Sequence, residues 1–166
     1  VLGPGSLFTS IVPNLQVPGI ARALAGTHAV RVFVCPKIDS LGETQGMSVA
    51  DHVDQLLSLA SSPLLDAVLV HHADASEFVY PYAPGPAYRT SALAGDVVTA
   101  RDIDTAKRAP FGPIQAGERE ISRIEQSVPV VLVRDFTGSE SAAVHDVKAL
   151  ASALEEVLDQ CRSARR

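Results

Sequence analysis

Cysteine is scarce in this chain: Cys35 and Cys161 are the two copies among 166 residues. That is too few for a disulfide framework or a four-thiolate zinc site, so a reducing, cytoplasmic setting is the default expectation. Basic residues are not in excess either. Fourteen Lys and Arg against nineteen Asp and Glu leave a formal net charge of -5. General nucleic-acid binders carry a basic surplus, so that class is excluded and only a local anion pocket stays open. No apolar run approaches the ~18–20 residues of a membrane span, and no basic region precedes an apolar stretch at the start. Membrane and secretory readings are disfavoured accordingly. The chain also lacks a Gly-x-Ser-x-Gly elbow, the Gly-Lys-Ser/Thr ending of a Walker A loop, zinc-ligand His/Cys spacing and internal repeats.

What is present is a globular composition, 46% hydrophobic and 20% charged, in a chain long enough to bury a sizeable core. Val30–Cys35, Leu65–His71 and Val128–Val133 are apolar and β-branched, as strands covered on both faces should be. Val49, Val53, Leu56, Leu57 and Ala60 recur at helical spacing within 48–61. Ser48 and Asp51 have the spacing of a capping box there, and Pro63 follows the end. A second helix is predicted over 142–161, with Val144, Val147, Leu150, Ala151, Leu154, Val157, Leu158 and Cys161 on its buried face. Arg162, Arg165 and Arg166 lie at its negative end. Strands alternating with helices imply a mainly parallel sheet in an α/β layer fold. Val1-Leu2 reads as the last residues of a strand; because strands usually run ~5–6 residues, upstream sequence is expected to be missing.

Residues 73–117 differ. Five prolines and four glycines break regular structure there, leaving room for a short strand around Asp96–Val98. A lid or substrate loop and a plain surface connection both fit such a segment. Arg101, Lys107 and Arg108 within it read as a solvated basic face, with phosphate contact as the second reading.

Chemistry is concentrated at the start. Gly3-Pro4-Gly5-Ser6-Leu7-Phe8-Thr9-Ser10 falls where a strand turns into a helix. Gly3 and Gly5 allow positive φ and close backbone approach, and the helix start offers free N–H groups and a partial positive charge to a phosphate. Ser6, Thr9 and Ser10 add hydroxyls. A tight turn with a serine N-cap explains the same residues equally well. His71 and His72 adjoin at a strand end, where they point to opposite faces and cannot readily share a metal. His52 and His145-Asp146 lie in helix first turns, and Cys35 at a buried strand end reads as packing and not as a nucleophile.

Gly3–Ile20 (GPGSLFTSIVPNLQVPGI) resembles the signature segment of the CofD-like family, which holds 2-phospho-L-lactate transferases and bacterial gluconeogenesis factors of the YvcK type. Val32–Val53 (VFVCPKIDSLGETQGMSVADHV) resembles a second family stretch through Cys35, Gly42, Glu43, Thr44, Gly46, Ser48, Asp51 and His52. A weaker third match runs over Val131–Leu154 through Asp135, His145, Asp146 and Leu150. The Gly-Pro-Gly-Ser form is closer to the gluconeogenesis-factor branch.

The resemblance implies a Rossmann-like, three-layer fold, of which this chain is the C-terminal portion of a single nucleotide-binding domain, with 73–117 as an insertion or lid-like segment. It implies phosphate or nucleotide binding by Gly3, Gly5, Ser6, Leu7, Thr9 and Ser10, and a pocket lined by Cys35, Pro36, Asp39, Glu43 and Thr44. The implied ligand is a nucleoside diphosphate or UDP-sugar, bound by a protein that regulates central carbon and cell-envelope metabolism and cell shape. The alternative is transfer of a phospholactyl-type group to a deazaflavin acceptor. No cofactor is evident, and no metal ligand set; Mg²⁺ belongs with the transferase alternative. Neither nucleic acid nor membrane is an expected partner, and a homo-oligomer is left open. The family's other glycine-rich loop and its acidic acceptor residues precede this segment. Pro36 and Asp39-Ser40-Leu41 depart from the family's Asn and Thr-Gln-Pro. A carboxylate at Asp39 would repel a nearby phosphate unless a cation intervened.

Overall fold

The computed structural model describes residues 1–40, 42–59, 64–72, 114, 116–138 and 144–164. Three parallel strands, β1 (Val32–Val34), β2 (Ala67–His71) and β3 (Val130–Arg134), form a sheet in the order β1-β2-β3. The register aligns Val32 with Ala67 and Ala67 with Val130. Leu2 extends the sheet beyond β1 through a parallel bridge to Phe33, donating its N–H to Val32 and accepting from Val34. The predicted strands are thus present, each a little shorter or shifted.

Side-chain alternation divides the core in two. Phe33, Cys35, Val68 and Val70 face one side of the sheet; Val32, Val34, Ala67, Leu69 and Leu132 face the other. The first face is covered by a π-helical turn (Leu7–Ile11) continuing into α1 (Val12–Gln16), by α3 (Val49–Leu57) and by α4 (Glu118–Glu125), which contribute Leu7, Leu15, Val53, Leu56 and Ile124. The second is covered by α5 (Val147–Ala164) through Ala153, Val157 and Cys161. Helices on both faces of a parallel sheet make the three-layer, Rossmann-like arrangement. A short α2 (Ile20–Ala25), which buries no residue, follows α1.

Local signals behave as physical chemistry predicts in α3. Ser48 Oγ accepts from the Asp51 N–H at 3.2 Å, and Asp51 Oδ2 accepts from the Ser48 N–H at 2.9 Å, the reciprocal capping box. Those bonds, with Arg123 reaching over from α4, hold the Asp51 carboxyl below its ordinary range. Ala60 and Pro63 lie outside the described residues.

Two expectations need correction. The final helix starts at Val147, not 142, because Asp146 caps it: its carboxylate accepts from the Ala149 N–H at 2.8 Å. Val144 and Val147 are consequently exposed, at 58% and 78%, and Ala151 is exposed too; the buried stripe runs through Ala153, Val157 and Cys161. Residues 142, 143, 165 and 166 are outside the described residues, as are 73–113 with Asp96–Val98, Arg101, Lys107 and Arg108. Gly5 does not take positive φ, whereas Gly3 does, at 74°.

The two glycines therefore have different tasks. A Cβ on Gly3 would lie 2.7 Å from the Val34 carbonyl oxygen, while one on Gly5 would meet only Ser10 Cβ at 3.8 Å. Gly3→Ala should lose about 2 kcal/mol to strain, seen as a melting temperature lower by about 4–8 °C. Gly5→Ala should melt within about 2 °C of the parent, a stability change below about 0.5 kcal/mol. Equal losses at both positions would contradict this division.

Candidate functional site

A cleft of about 420 Å³ opens at the carboxyl end of the sheet. The opening turn (Pro4 to Leu7), the exit from β1 (Pro36 to Ile38), the loop at Ser40 and Thr44, His52 of α3 and the segment leading into α5 surround it. This is where open parallel sheets bind ligands, because the loops after the strands converge there.

Lys37 is its central charged group. The side chain is 3% exposed, and Nζ donates to the carbonyls of Phe136 at 3.0 Å and Val144 at 2.5 Å. An ammonium has three N–H groups, so one remains after those bonds among the described residues. Burial pushes its pKa down, opposed by the nearby charges of Asp135 and Asp146. The Lys37 carbonyl in turn accepts from Ile114 at 3.0 Å, so the chain returns beside this residue after 73–113.

The residues predicted as phosphate ligands divide. Gly5, Ser6 and Leu7 line the cleft, and the Leu7 and Phe8 amides precede the first intrahelical bond. Gly3, Thr9 and Ser10 are not on the lining: Gly3 packs under Val34, the Thr9 N–H donates to Ser6 Oγ at 3.3 Å, and the Ser10 carbonyl accepts from Asn14. The Ser6 hydroxyl donates to the Glu43 carboxylate in a short bond. With Thr9 on its lone pair, Ser6 acts as an N-cap tied to the loop after β1.

Pro36 and Thr44 line the cleft; Cys35, Asp39 and Glu43 do not. Cys35 is fully buried and desolvation pushes its thiol pKa far up, which makes it packing and a poor nucleophile. Asp39 is turned to its own loop, accepting from the Gly46 N–H at 3.3 Å, so its carboxylate is not among the cleft-lining groups. Thr44 Oγ1 accepts from the Ser40 N–H at 2.9 Å, closing the same loop.

Lys37 and the two cleft histidines were not among the predicted ligands. His52 is completely buried, with Nδ1 2.8 Å from the Ser48 carbonyl oxygen. His145 is 9% exposed and stacks obliquely on Phe136 with ring centroids 5.8 Å apart. Below the cleft, His71 Nδ1 accepts from the Phe136 N–H at 3.0 Å. Burial lowers the pKa of both His71 and His145 to about 4, with Lys37 adding to it. His71 is thus neutral at pH 7, and its 3.8 Å approach to Asp135 is no ion pair there. His72 is exposed at the strand end.

The family model for "2-phospho-L-lactate transferase CofD" matches residues 1–86. Among curated relatives, the "Gluconeogenesis factor" of Halalkalibacterium halodurans is 39% identical over 79 residues, covering 48% of this chain and 24% of that protein. Proteins named "Putative gluconeogenesis factor" from Nostoc sp. and Streptococcus pyogenes are 49% and 51% identical over 72 and 73 residues, 43% and 44% of this chain and 16% and 22% of theirs. The chain therefore spans less than a quarter of the length of these relatives. Two crystal structures from Bacillus halodurans, one described as a member of the UPF0052 family, superpose with TM-scores of 0.63 and 0.66. Their identities are 23% and 24%, over 92% and 95% of this chain and 41% and 42% of theirs, a likeness of fold. Among the described residues no helix is long and apolar enough to cross a membrane.

Neutral buried histidines make stability pH-dependent in a stated direction. The folded pKa of about 4 at His71 and His145 lies below the ordinary 6.5. The unfolded chain then binds more protons in acid, so this stability is present above pH 6.5 and is lost as pH falls toward 4. The melting temperature should fall steadily between those values, and His71→Gln should shallow the slope. A flat profile across that window would show that these rings are not buried neutral.

With more than half of its length matched by the family model, and with gluconeogenesis-factor relatives over the same N-terminal region, this chain belongs to the CofD family.

Proposed function

We propose that the cleft binds a nucleoside diphosphate, and a UDP-sugar in particular, with the diphosphate placed against Lys37 and the amides at the start of the opening turn. The observation that carries this reading is the buried Lys37 ammonium, which faces a cleft whose lining includes no carboxylate among the described residues. A cation held in a low-dielectric wall favours an anion, and the carboxylates whose charge acts on it, Asp135 and Asp146, lie off the cleft lining. The rest of the site, on this reading, comes from sequence of which this chain is the C-terminal portion.

We further propose binding without turnover, in a cytoplasmic protein that regulates central carbon and cell-envelope metabolism by ligand-dependent association. The relatives named gluconeogenesis factors support it, as does the chemistry of the lining. His52 and His145 are pushed below their ordinary pKa by burial, and the neighbouring Cys35 thiol is pushed up, so none is tuned for acid–base or nucleophilic work at neutral pH. The family model's own description favours the second reading, a phospholactyl-type transferase. That reaction would draw on Mg²⁺, which prefers several oxygen ligands; the described lining offers the hydroxyls of Ser6, Ser40 and Thr44 and no carboxylate, beside an ammonium and two imidazoles. Product formation from a nucleoside-diphospho-lactate donor would establish the transferase.

Ligand binding to the native state raises its stability by mass action, about 2.7 kcal/mol at a hundred times Kd. UDP-glucose at that excess should raise the melting temperature by about 5–11 °C. Lys37→Gln, which keeps a donor but removes the charge, should weaken binding roughly 10–100-fold, the range of a charge-assisted hydrogen bond. An unchanged melting curve at millimolar UDP and UDP-glucose would contradict the proposal.

A further inference from the structure

Two buried side-chain atoms lack a hydrogen-bond partner among the described residues, and they are the same atom of two histidines: His52 Nε2 and His145 Nε2. Both residues line the Lys37 cleft, although they arrive from opposite ends of the chain. Native interiors leave few such atoms, so a pair in one cleft requires an explanation.

The other nitrogen of the His52 ring is committed. His52 Nδ1 faces the Ser48 carbonyl, and a carbonyl can only accept, so Nδ1 carries the proton. His145 Nε2 has no partner either, on a ring that stacks obliquely on Phe136. Burial disfavours the charged form of both rings. His52 Nε2 is then a bare lone pair that can accept a hydrogen bond and cannot donate one, and His145 Nε2 is an unpartnered position on a neutral ring.

Such a pair selects its ligand by chemistry. Phosphate oxygens at neutral pH are acceptors and would be repelled. A metal would want further ligands, and no group of three His, Cys, Asp or Glu suited to one exists among the described residues. A ring with a pKa of about 4 takes up a proton poorly at pH 7, so catalysis by His145 as a base is disfavoured. Hydroxyl groups are suitable donors. We infer that His52 and His145 hydrogen-bond the hydroxyls of the hexose carried on the diphosphate, not those of the ribose, and so determine which nucleotide-sugars the cleft prefers. This assignment rests on the nucleotide-sugar reading above and gives it a direction: diphosphate on Lys37, sugar on the imidazole wall. Both nitrogens are closed off from solvent, so a hydroxyl reaches them only with a local shift of the cleft wall.

The test compares UDP with UDP-glucose on the same protein. In ¹⁵N-labelled protein the two histidine Nε2 resonances are followed, and that of His52 should start at the position of an unprotonated, unbonded nitrogen. The His52 resonance should move upfield and the His145 resonance should shift with UDP-glucose, both staying in place with UDP, a readout that needs no variant at fully buried His52. By calorimetry, His145→Phe, which retains the ring and removes the acceptor, should bind UDP-glucose roughly tenfold more weakly. Its affinity for UDP should stay within about twofold, which also reports that the variant is folded. The assignment is overturned if the His52 resonance is already shifted without ligand, since a resident water then satisfies it. Equal movement with UDP, or equal weakening of both ligands by His145→Phe, overturns it as well. Should neither UDP nor UDP-glucose bind, the nucleotide reading itself fails; if both bind and the histidines do not respond, only the sugar assignment fails.

Discussion

The buried ammonium of Lys37 is the constraint on which the site depends. Its two carbonyl partners, at Phe136 and Val144, are 99 and 107 residues away in sequence. One side chain thereby fixes the exit of β1 against the two ends of the segment that leads from β3 to α5. That segment also places His145 over Phe136, and the Lys37 backbone anchors Ile114. Desolvating an ammonium is costly, and two carbonyls compensate only part of the loss. The charges of Asp135 and Asp146 offset part of the remainder, and on the proposed reading an anionic ligand supplies the rest.

A second tie links the opening turn to the loop after β1. Ser6 donates to Glu43, and the loop itself is closed by Thr44 on Ser40 and Asp39 on Gly46. The family-like residues of this stretch thus mostly build the loop and only in part line the cleft. Gly3 shows the same pattern: its positive φ and the absence of a Cβ serve the packing against Val34. Motif residues can be required for the shape of a site without touching its ligand.

Much of the fold was legible because its signals are local. Three apolar, β-branched runs announced buried parallel strands, and Ser48 with Asp51 announced the start of α3. Helix α4 was not read: Ile121 and Ile124 are its two apolar residues, too few for a clear period, although Gly117 and the acidic first turn mark its start. The early start assigned to the last helix followed Val144 and Val147, whose spacing continues the helical period. In the folded chain the Val144 carbonyl serves Lys37 instead, and a carbonyl so engaged lies ahead of the helix that Asp146 caps. Lys37, His52 and His145 escaped notice as ligands for a related reason. A lysine after a strand reads as solvated surface, and nothing near it in sequence reveals partners a hundred residues on. Family resemblance pointed to the end of the sheet where the cleft lies; the placing of Lys37, His52 and His145 on its wall needed the tertiary structure.

The most direct measurement is a crystal structure of the protein grown with UDP-glucose. The account predicts the diphosphate within hydrogen-bonding distance of Lys37 Nζ and the amides of the opening turn. Density for the nucleotide at another site, with only water beside Lys37, would contradict it.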